Sequence, residues 1–91
     1  MTQRSSAIHM TGDGQAYSGA CTIVGYNIDA GETADIKVYN GTDNSGDLVF
    51  TVAVGAASSN AGELPGIHCP DGAYVDYVTG TSATDFILYI A

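Results

Sequence analysis

The chain has 91 residues, a mass of 9.3 kDa and a net charge of −8 at pH 7, because ten acidic residues face only two basic ones. Binding to nucleic-acid phosphates or to an anionic membrane surface needs several lysines or arginines, so this charge balance argues against both partners. Hydrophobic residues make up 45% of the chain, which favours one small folded domain over a disordered acidic tail; a partner or a second copy would help to stabilise so small a core.

The sequence consists mainly of short segments with the alternation typical of β-strands, separated by residues that favour turns. Clusters of Gly, Asn, Asp, Ser and Thr recur about every 8 to 15 residues, which is typical of a β-sandwich or barrel. A first strand is predicted over residues 7–11 and a second within residues 16–28. One face of the second strand is predicted to carry Thr22, Val24, Tyr26 and Ile28. Gly25 predicts a β-bulge there, or a close approach of another backbone.

A hairpin and then an irregular segment are predicted in the middle of the chain. Residues 34–39 alternate cleanly between apolar and polar, and residues 47–54 return from a polar loop. The side chains predicted to face the core on these strands are Ala34, Ile36, Val38, Leu48, Phe50, Val52 and Val54. Residues 55–65 lack strand patterning and are predicted to form a flexible crossover.

Three further strands are predicted in the C-terminal third. A short edge strand over residues 66–69 is followed by a tight turn at residues 70–72, with Gly72 at a positive φ. Residues 73–79 and 85–90 form the last two strands, joined by a loop.

These strands predict an all-β fold, a single-domain antiparallel β-sandwich that is jelly-roll-like and has about seven or eight short strands. Residues 1–11 are expected to be an N-terminal arm or the first strand, and residues 12–91 the sandwich domain. No signal-peptide hydrophobic region is present, so we expect synthesis in a host cytoplasm without export.

Few residues could carry chemistry. No Ser-His-Asp order, nucleophile elbow, phosphate-binding glycine loop or HExxH motif is present, so we expect no enzyme, no cofactor and no metal site. His68 and Cys69 are adjacent on an extended segment and point to opposite faces, so they cannot both bind one metal ion unless a β-bulge turns one of them. Residues 43–47 resemble half of a calcium loop but lack its bidentate Glu, and they are interpreted as a polar hairpin tip. Cys21 and Cys69 are most simply buried free thiols, although a disulfide between them stays open.

The last two strands have apolar residues on both faces. Phe86, Leu88 and Ile90 can fill the core, so the residues between them must face away from it. A sandwich needs one apolar face per sheet, and a second apolar face predicts another covering surface. The predicted interface residues are Tyr74, Val78, Ile87 and Tyr89. The alternative is that they are ordinary scattered surface residues.

Several short sequence motifs follow one another between residues 35 and 90. They are Ile-Lys-Val-Tyr-Asn-Gly-Thr at residues 36–42, Leu-Val-Phe at 48–50, Leu-Pro-Gly-Ile at 64–67, Asp-Gly-Ala-Tyr-Val at 71–75 and an aromatic-rich closing strand at 85–90. Together they resemble a type of small bacteriophage virion protein. The resemblance implies a structural role, such as a capsid decoration (cement) or head-associated protein, and it supplies no catalytic residue.

The resemblance and the apolar second face together predict a virion protein that assembles on the major capsid protein or on another virion protein. A homo-oligomer is expected, and specifically a trimer. The acidic surface would keep a decorated particle soluble by like-charge repulsion. Two other functions stay open: a carbohydrate- or cell-surface-binding module, suggested by six tyrosines on a β-scaffold, and a small acidic inhibitor or nucleic-acid mimic, which rests on charge alone.

Overall fold

A computed structural model describes residues 6–55, 58–79 and 84–91, and every regular element in these ranges is a β-strand. The strands are β1 (Ser6–Met10), β2 (Gly14–Ser18), β3 (Cys21–Ala30), β4 (Ala34–Asn40), β5 (Asp47–Val54), β6 (Ser58–Cys69), β7 (Gly72–Thr79) and β8 (Thr84–Ile90). The beginning of the expected N-terminal arm (1–5), two residues of the expected crossover (56–57) and the last predicted loop (80–83) lie outside the described residues. Residues 6–10 of the arm form β1.

The strand order is that of a jelly roll. Sheet A has the order β1-β8-β3-β6, and sheet B has the order β2-β7-β4-β5. The pairs β1–β8, β2–β7, β3–β6 and β4–β5 are all antiparallel, so the chain is one long antiparallel ribbon rolled over itself. The pairs β3–β8 and β4–β7 complete the two sheets. The predicted all-β antiparallel sandwich is confirmed.

The core lies between the two sheets and contains most of the residues that the alternating patterns predicted. Ile36 and Val38 of β4 and Phe86 and Leu88 of β8 are fully buried. Tyr26 extends this core, because its ring stacks on Phe86 with 6.3 Å between the ring centroids. Burial of large apolar side chains is the main stabilising contribution in a fold of this size.

Strand β3 contains a bulge that exchanges its two faces. Ile23 pairs with Ile90 of β8, whereas Gly25 pairs with the adjacent Tyr89, so Val24 is an extra residue on β3. The predicted bulge is confirmed, and a Cβ at Gly25 would also lie 3.0 Å from the Gly62 carbonyl oxygen. One extra residue moves all following side chains to the other face. Thr22 and Val24 therefore do not share a face with Tyr26 and Ile28, and the prediction that all four lie on one face is wrong.

On β3 the buried side chains are Cys21 and Ile23 before the bulge and Ile28 and Ala30 after it, while Thr22 and Val24 are only half-buried. The single strand predicted within residues 16–28 is in fact parts of two strands, β2 and β3, which belong to different sheets. The chain crosses between the sheets at Gly19, whose φ of 92° gives the sharp change of direction.

Two predictions in the middle of the chain are wrong. Residues 58–65 are not an irregular crossover but the first part of β6, because residues 58–63 pair with residues 25–30 of β3. Leu48 was predicted to face the core and is instead 52% exposed. The cause is a bulge at Val49, since Val38 pairs with Phe50 while the next residue, Tyr39, pairs with Leu48.

Tyr77 joins the two sheets. It lies on β7 in sheet B, and its hydroxyl group is 2.8 Å from the Thr84 carbonyl oxygen and 3.0 Å from that of Met10, both in sheet A. The single hydroxyl proton is shared between these two acceptors. Burial, followed by the negative charges of Asp85 and Asp13, raises the pKa of Tyr77 to about 12.

Tyr77→Phe is expected to lower the free energy of unfolding by about 1 kcal/mol at neutral pH, because it removes this donor. The raised pKa adds a pH dependence: the contribution is complete below about pH 10, where an unfolded tyrosine ionises, and is lost as the pH rises toward 12. Urea unfolding of both proteins at about pH 8 and pH 11 measures this. The difference between them should shrink at the higher pH, and a constant difference would contradict the assigned role of the hydroxyl group.

Candidate interaction surfaces

The four predicted interface residues lie on opposite outer faces of the sandwich. Tyr74 and Val78 belong to β7 of sheet B, and Ile87 and Tyr89 belong to β8 of sheet A. Each lies beside core residues of its own strand, for example Tyr74 between the fully buried Ala73 and Val75, and therefore points away from the core. A single flat partner surface can contact one pair or the other.

The outer face of sheet B carries an apolar row across three strands. Tyr39 of β4 lies directly opposite Tyr74 of β7 on one side and Leu48 of β5 on the other. Val78 lies further along β7 and is 52% exposed, as is Leu48. We call Leu48, Tyr39, Tyr74 and Val78 the sheet B patch. The sequence did not indicate Leu48 as part of this face, because the bulge at Val49 carries no distinctive residue type.

Charges around the sheet B patch are few and mostly acidic. Lys37 lies opposite Asp76 in the strand register, so charges of opposite sign face each other there. Desolvation by burial raises the pKa of Tyr74, and the negative charges of Asp13, Asp76 and Asp43 raise it further. This surrounding charge makes an anionic partner unfavourable at the patch.

The outer face of sheet A also carries carboxylates and contains a shallow groove. The groove has a volume of about 510 Å³, and its lining includes Tyr89, Gly25, Ala61, Gly62 and Glu63. The small residues leave one side of the tyrosine open, and Glu63 supplies a carboxylate at the groove.

A second, smaller depression of about 270 Å³ lies next to Ile87 on the same face. The His9 Nε2 atom is 3.0 Å from the Asp85 Oδ1 atom at its edge, and both side chains are more than half exposed. Asp29 lies opposite Asp85 in the strand register. This part of sheet A is therefore polar and solvated.

The loop between β4 and β5 is a polar hairpin tip, as predicted. The Ser45 backbone N–H and its hydroxyl group both donate to the Asp43 Oδ1 atom, which closes a local turn. These two hydrogen bonds lower the pKa of Asp43. Within the described ranges, no three His, Cys, Asp or Glu side chains are grouped so that they could hold a metal ion.

Cys21 and Cys69 lie opposite each other on β3 and β6, and both are buried free thiols. Burial raises the pKa of each thiol. The pKa of Cys69 is raised to about 11, because the charge of Cys21 adds to the effect of burial. The adjacent His68 is exposed while Cys69 is buried, so the predicted opposite orientation of these two neighbours is confirmed.

The native thiols are expected to react with a disulfide reagent about a hundredfold or more slowly than the same chain in denaturant, because the thiolate is the reacting species and little of it forms at neutral pH. Ellman's reagent under native and unfolding conditions measures the two rates. Cys21→Ala should leave one thiol that is still slow because of its burial, but faster than in the unaltered protein, because Cys21 no longer raises the pKa of Cys69. Fast reaction of the native protein would show that the pair is accessible.

The described residues include no helix that is long and apolar enough to span a membrane. No protein-family model, curated protein or solved structure matches this chain.

Proposed function

We propose that this chain is a non-enzymatic structural protein of a bacteriophage virion, a capsid decoration protein that assembles on the head shell with the major capsid protein as its partner. The observation that carries the proposal is the sheet B patch. It adds apolar side chains to the outer face of a sandwich whose inner faces already form the core, and two of them, Leu48 and Val78, are each 52% exposed. Such exposed apolar surface is typical of a protein–protein interaction site.

Two further observations support this role. The jelly roll is an architecture of viral capsid proteins, although it is also found in lectins and cupins, so the fold alone does not fix a function. The sequence phrases between residues 35 and 90 resemble small virion proteins and extend across both sheets.

The sheet B face is the better candidate for contact with the shell. Its patch combines two tyrosines with two aliphatic side chains, and tyrosine is enriched in interface cores. The opposite face carries Asp29, Asp85 and Glu63. That face would point to solvent and keep neighbouring particles apart by charge repulsion.

A pair of matched double variants tests which face binds. Tyr74→Ser with Val78→Ser should weaken binding to purified head shells that lack the chain by about tenfold or more, because two interface anchors are truncated. Ile87→Ser with Tyr89→Ser makes a comparable change on the other face and should bind like the unaltered protein. Co-sedimentation with the shells gives both affinities, and circular dichroism checks the fold. Failure of the unaltered chain to bind, or equal binding by both variants, would contradict the proposal.

A second candidate function, glycan binding, is favoured by the groove beside Tyr89. An open aromatic side chain next to small residues and a carboxylate can stack on a sugar ring and accept its hydroxyl hydrogen bonds. A glycan array would then show hits that Tyr89→Ala removes and Tyr74→Ala, on the opposite face, retains. An array without hits would remove this candidate.

A further inference from the structure

Cys21 and Cys69 form a buried pair at one end of sheet A. Cys21 is the first residue of β3, Cys69 is the last residue of the edge strand β6, and the two lie directly opposite each other in the antiparallel register. Directly opposite residues point to the same side of a sheet, with Cβ atoms roughly 4.5–5.5 Å apart. Both side chains face the core and are almost fully buried, so the two thiols lie side by side between the sheets.

The positions of the two backbones suit a disulfide bond. A disulfide usually joins Cα atoms that are roughly 4.4–6.8 Å apart, and opposite residues of antiparallel strands have Cα atoms about 4.5–5.5 Å apart. The two side chains also interact directly, through a hydrogen bond between the thiols. The Cβ atoms need to approach by only about 1 Å. Both cysteines end their strands, beside the bend at 19–20 and the turn at 70–71, where the backbone can adjust without breaking the middle of a strand pair.

Burial at this position favours a bond within the chain over a bond between chains. The chain contains two cysteines and no third one, so only one intramolecular pairing exists. Both sulfur atoms are buried, so the thiol of a second copy cannot approach either one without opening the end of the strand pair. Each thiol instead has the other as a fixed neighbour, which gives the pair the high effective concentration of an intramolecular reaction.

We infer that Cys21 and Cys69 are a redox-sensitive site, at which a small-molecule disulfide such as oxidised glutathione converts the two thiols into one disulfide bond between β3 and β6. One thiolate attacks a sulfur atom of the oxidant and releases a first molecule of glutathione. The second thiolate then attacks this mixed disulfide and releases another. The two cysteines are oxidised, the oxidant is reduced to two thiols, and these thiols take up the two protons that the cysteines lose.

The two steps differ in rate. The first step needs a thiolate that the oxidant can reach, and little of it forms, because burial raises the pKa of both thiols. This step therefore proceeds when the end of the β3–β6 pair opens locally. The second step is intramolecular and fast, so the mixed disulfide does not accumulate. The site consequently responds to a sustained oxidising environment, in which disulfides persist, and not to a brief exposure.

The bond would stabilise the fold and hold an edge strand in place. It closes a loop of roughly fifty residues, and closing so long a loop restricts the unfolded chain. The coupling is reciprocal: the free energy that the bond adds to the stability of the fold is also the free energy by which the fold protects the bond against reduction. This inference goes beyond the proposed function and does not depend on it, because an intramolecular bond needs no partner protein.

The test oxidises the folded, reduced chain with oxidised glutathione. The product should have the mass of the unaltered chain less two hydrogen atoms, without an attached glutathione. Lys37 is the only basic residue between the cysteines that trypsin recognises, so digestion of the denatured product should leave the fragments on either side of it linked until a reductant is added. The thermal midpoint of the oxidised protein should rise by about 10 °C or more, and reduction with dithiothreitol in denaturant should reverse the shift after refolding.

A matched variant separates the geometry from the mere presence of two cysteines. Cys21→Ala with Thr22→Cys keeps two cysteines in the chain, but residue 22 lies opposite His68 and points to the other face of the sheet from Cys69. Circular dichroism checks its fold. It should gain no internal disulfide in the folded state and no shift in thermal midpoint. Glutathione adducts or linked dimers as the only products of the unaltered chain, an internal bond that leaves its midpoint unchanged, or equally fast bond formation in the matched variant would overturn the inference.

Discussion

Phe86→Ala is expected to lower the free energy of unfolding by about 3–5 kcal/mol. Phe86 is the largest of the fully buried side chains and stacks on Tyr26, whose ring in turn stacks on Phe50 with 5.8 Å between the centroids. Removing its ring leaves a cavity between the sheets and breaks this row of aromatic contacts. A domain of this size has about 5–14 kcal/mol of total stability, so this single change should remove a large part of it.

The neighbouring position provides the control. Ile87 lies next to Phe86 on β8 but faces outward and is only half-buried, so Ile87→Ala should cost about 1 kcal/mol or less. Urea unfolding monitored by circular dichroism gives both values. Equal losses at the two positions would mean that β8 does not have the assigned inner and outer faces.

Gly72→Ala is expected to destabilise the fold by about 2–3 kcal/mol. The sequence predicted a positive φ at this turn, and the value is 115°, a conformation that side chains other than glycine rarely adopt. An added Cβ would also lie 2.7 Å from the Tyr17 carbonyl oxygen. The neighbouring strand β2 or the turn itself must therefore move.

Two other glycines separate the causes of this loss. Gly19 has a φ of 92° but open space around a Cβ, and Gly12 has open space without a positive φ. Gly19→Ala should therefore show the backbone strain alone, a smaller loss of about 1 kcal/mol, and Gly12→Ala almost none. If the three thermal midpoints fell equally, neither the strain nor the close contact would explain the effect at Gly72.

The alternating patterns predicted most strands and much of the core, because period-two alternation depends only on which face of a strand is buried. The alternating patterns did not predict which side chains are buried where a bulge adds one residue to a strand and so exchanges its inner and outer faces. At Val24 and Val49 the bulges are determined by the register of pairing with neighbouring strands, which the residue pattern of a single strand does not contain. Residues 58–62 form a strand for a similar reason: β3 supplies their hydrogen bonds, although their small polar side chains resemble a loop.

The candidate surface was predicted only in part. Alternation along β7 and β8 correctly indicated that Tyr74, Val78, Ile87 and Tyr89 point away from the core. Their division between two opposite faces follows from the jelly-roll strand order, which local patterns do not contain. Leu48 became a candidate only once the bulge at Val49 was known.

The presence of this chain in the phage particle is the most direct test of the proposed role. If the proposal is right, a phage genome encodes this chain, and quantitative mass spectrometry of that phage's purified virions should find its peptides at many copies per particle, in a fixed ratio to the major capsid protein. A decoration protein that covers the shell requires such a ratio. Virions that lack these peptides, while infected cells contain them, would contradict the proposal.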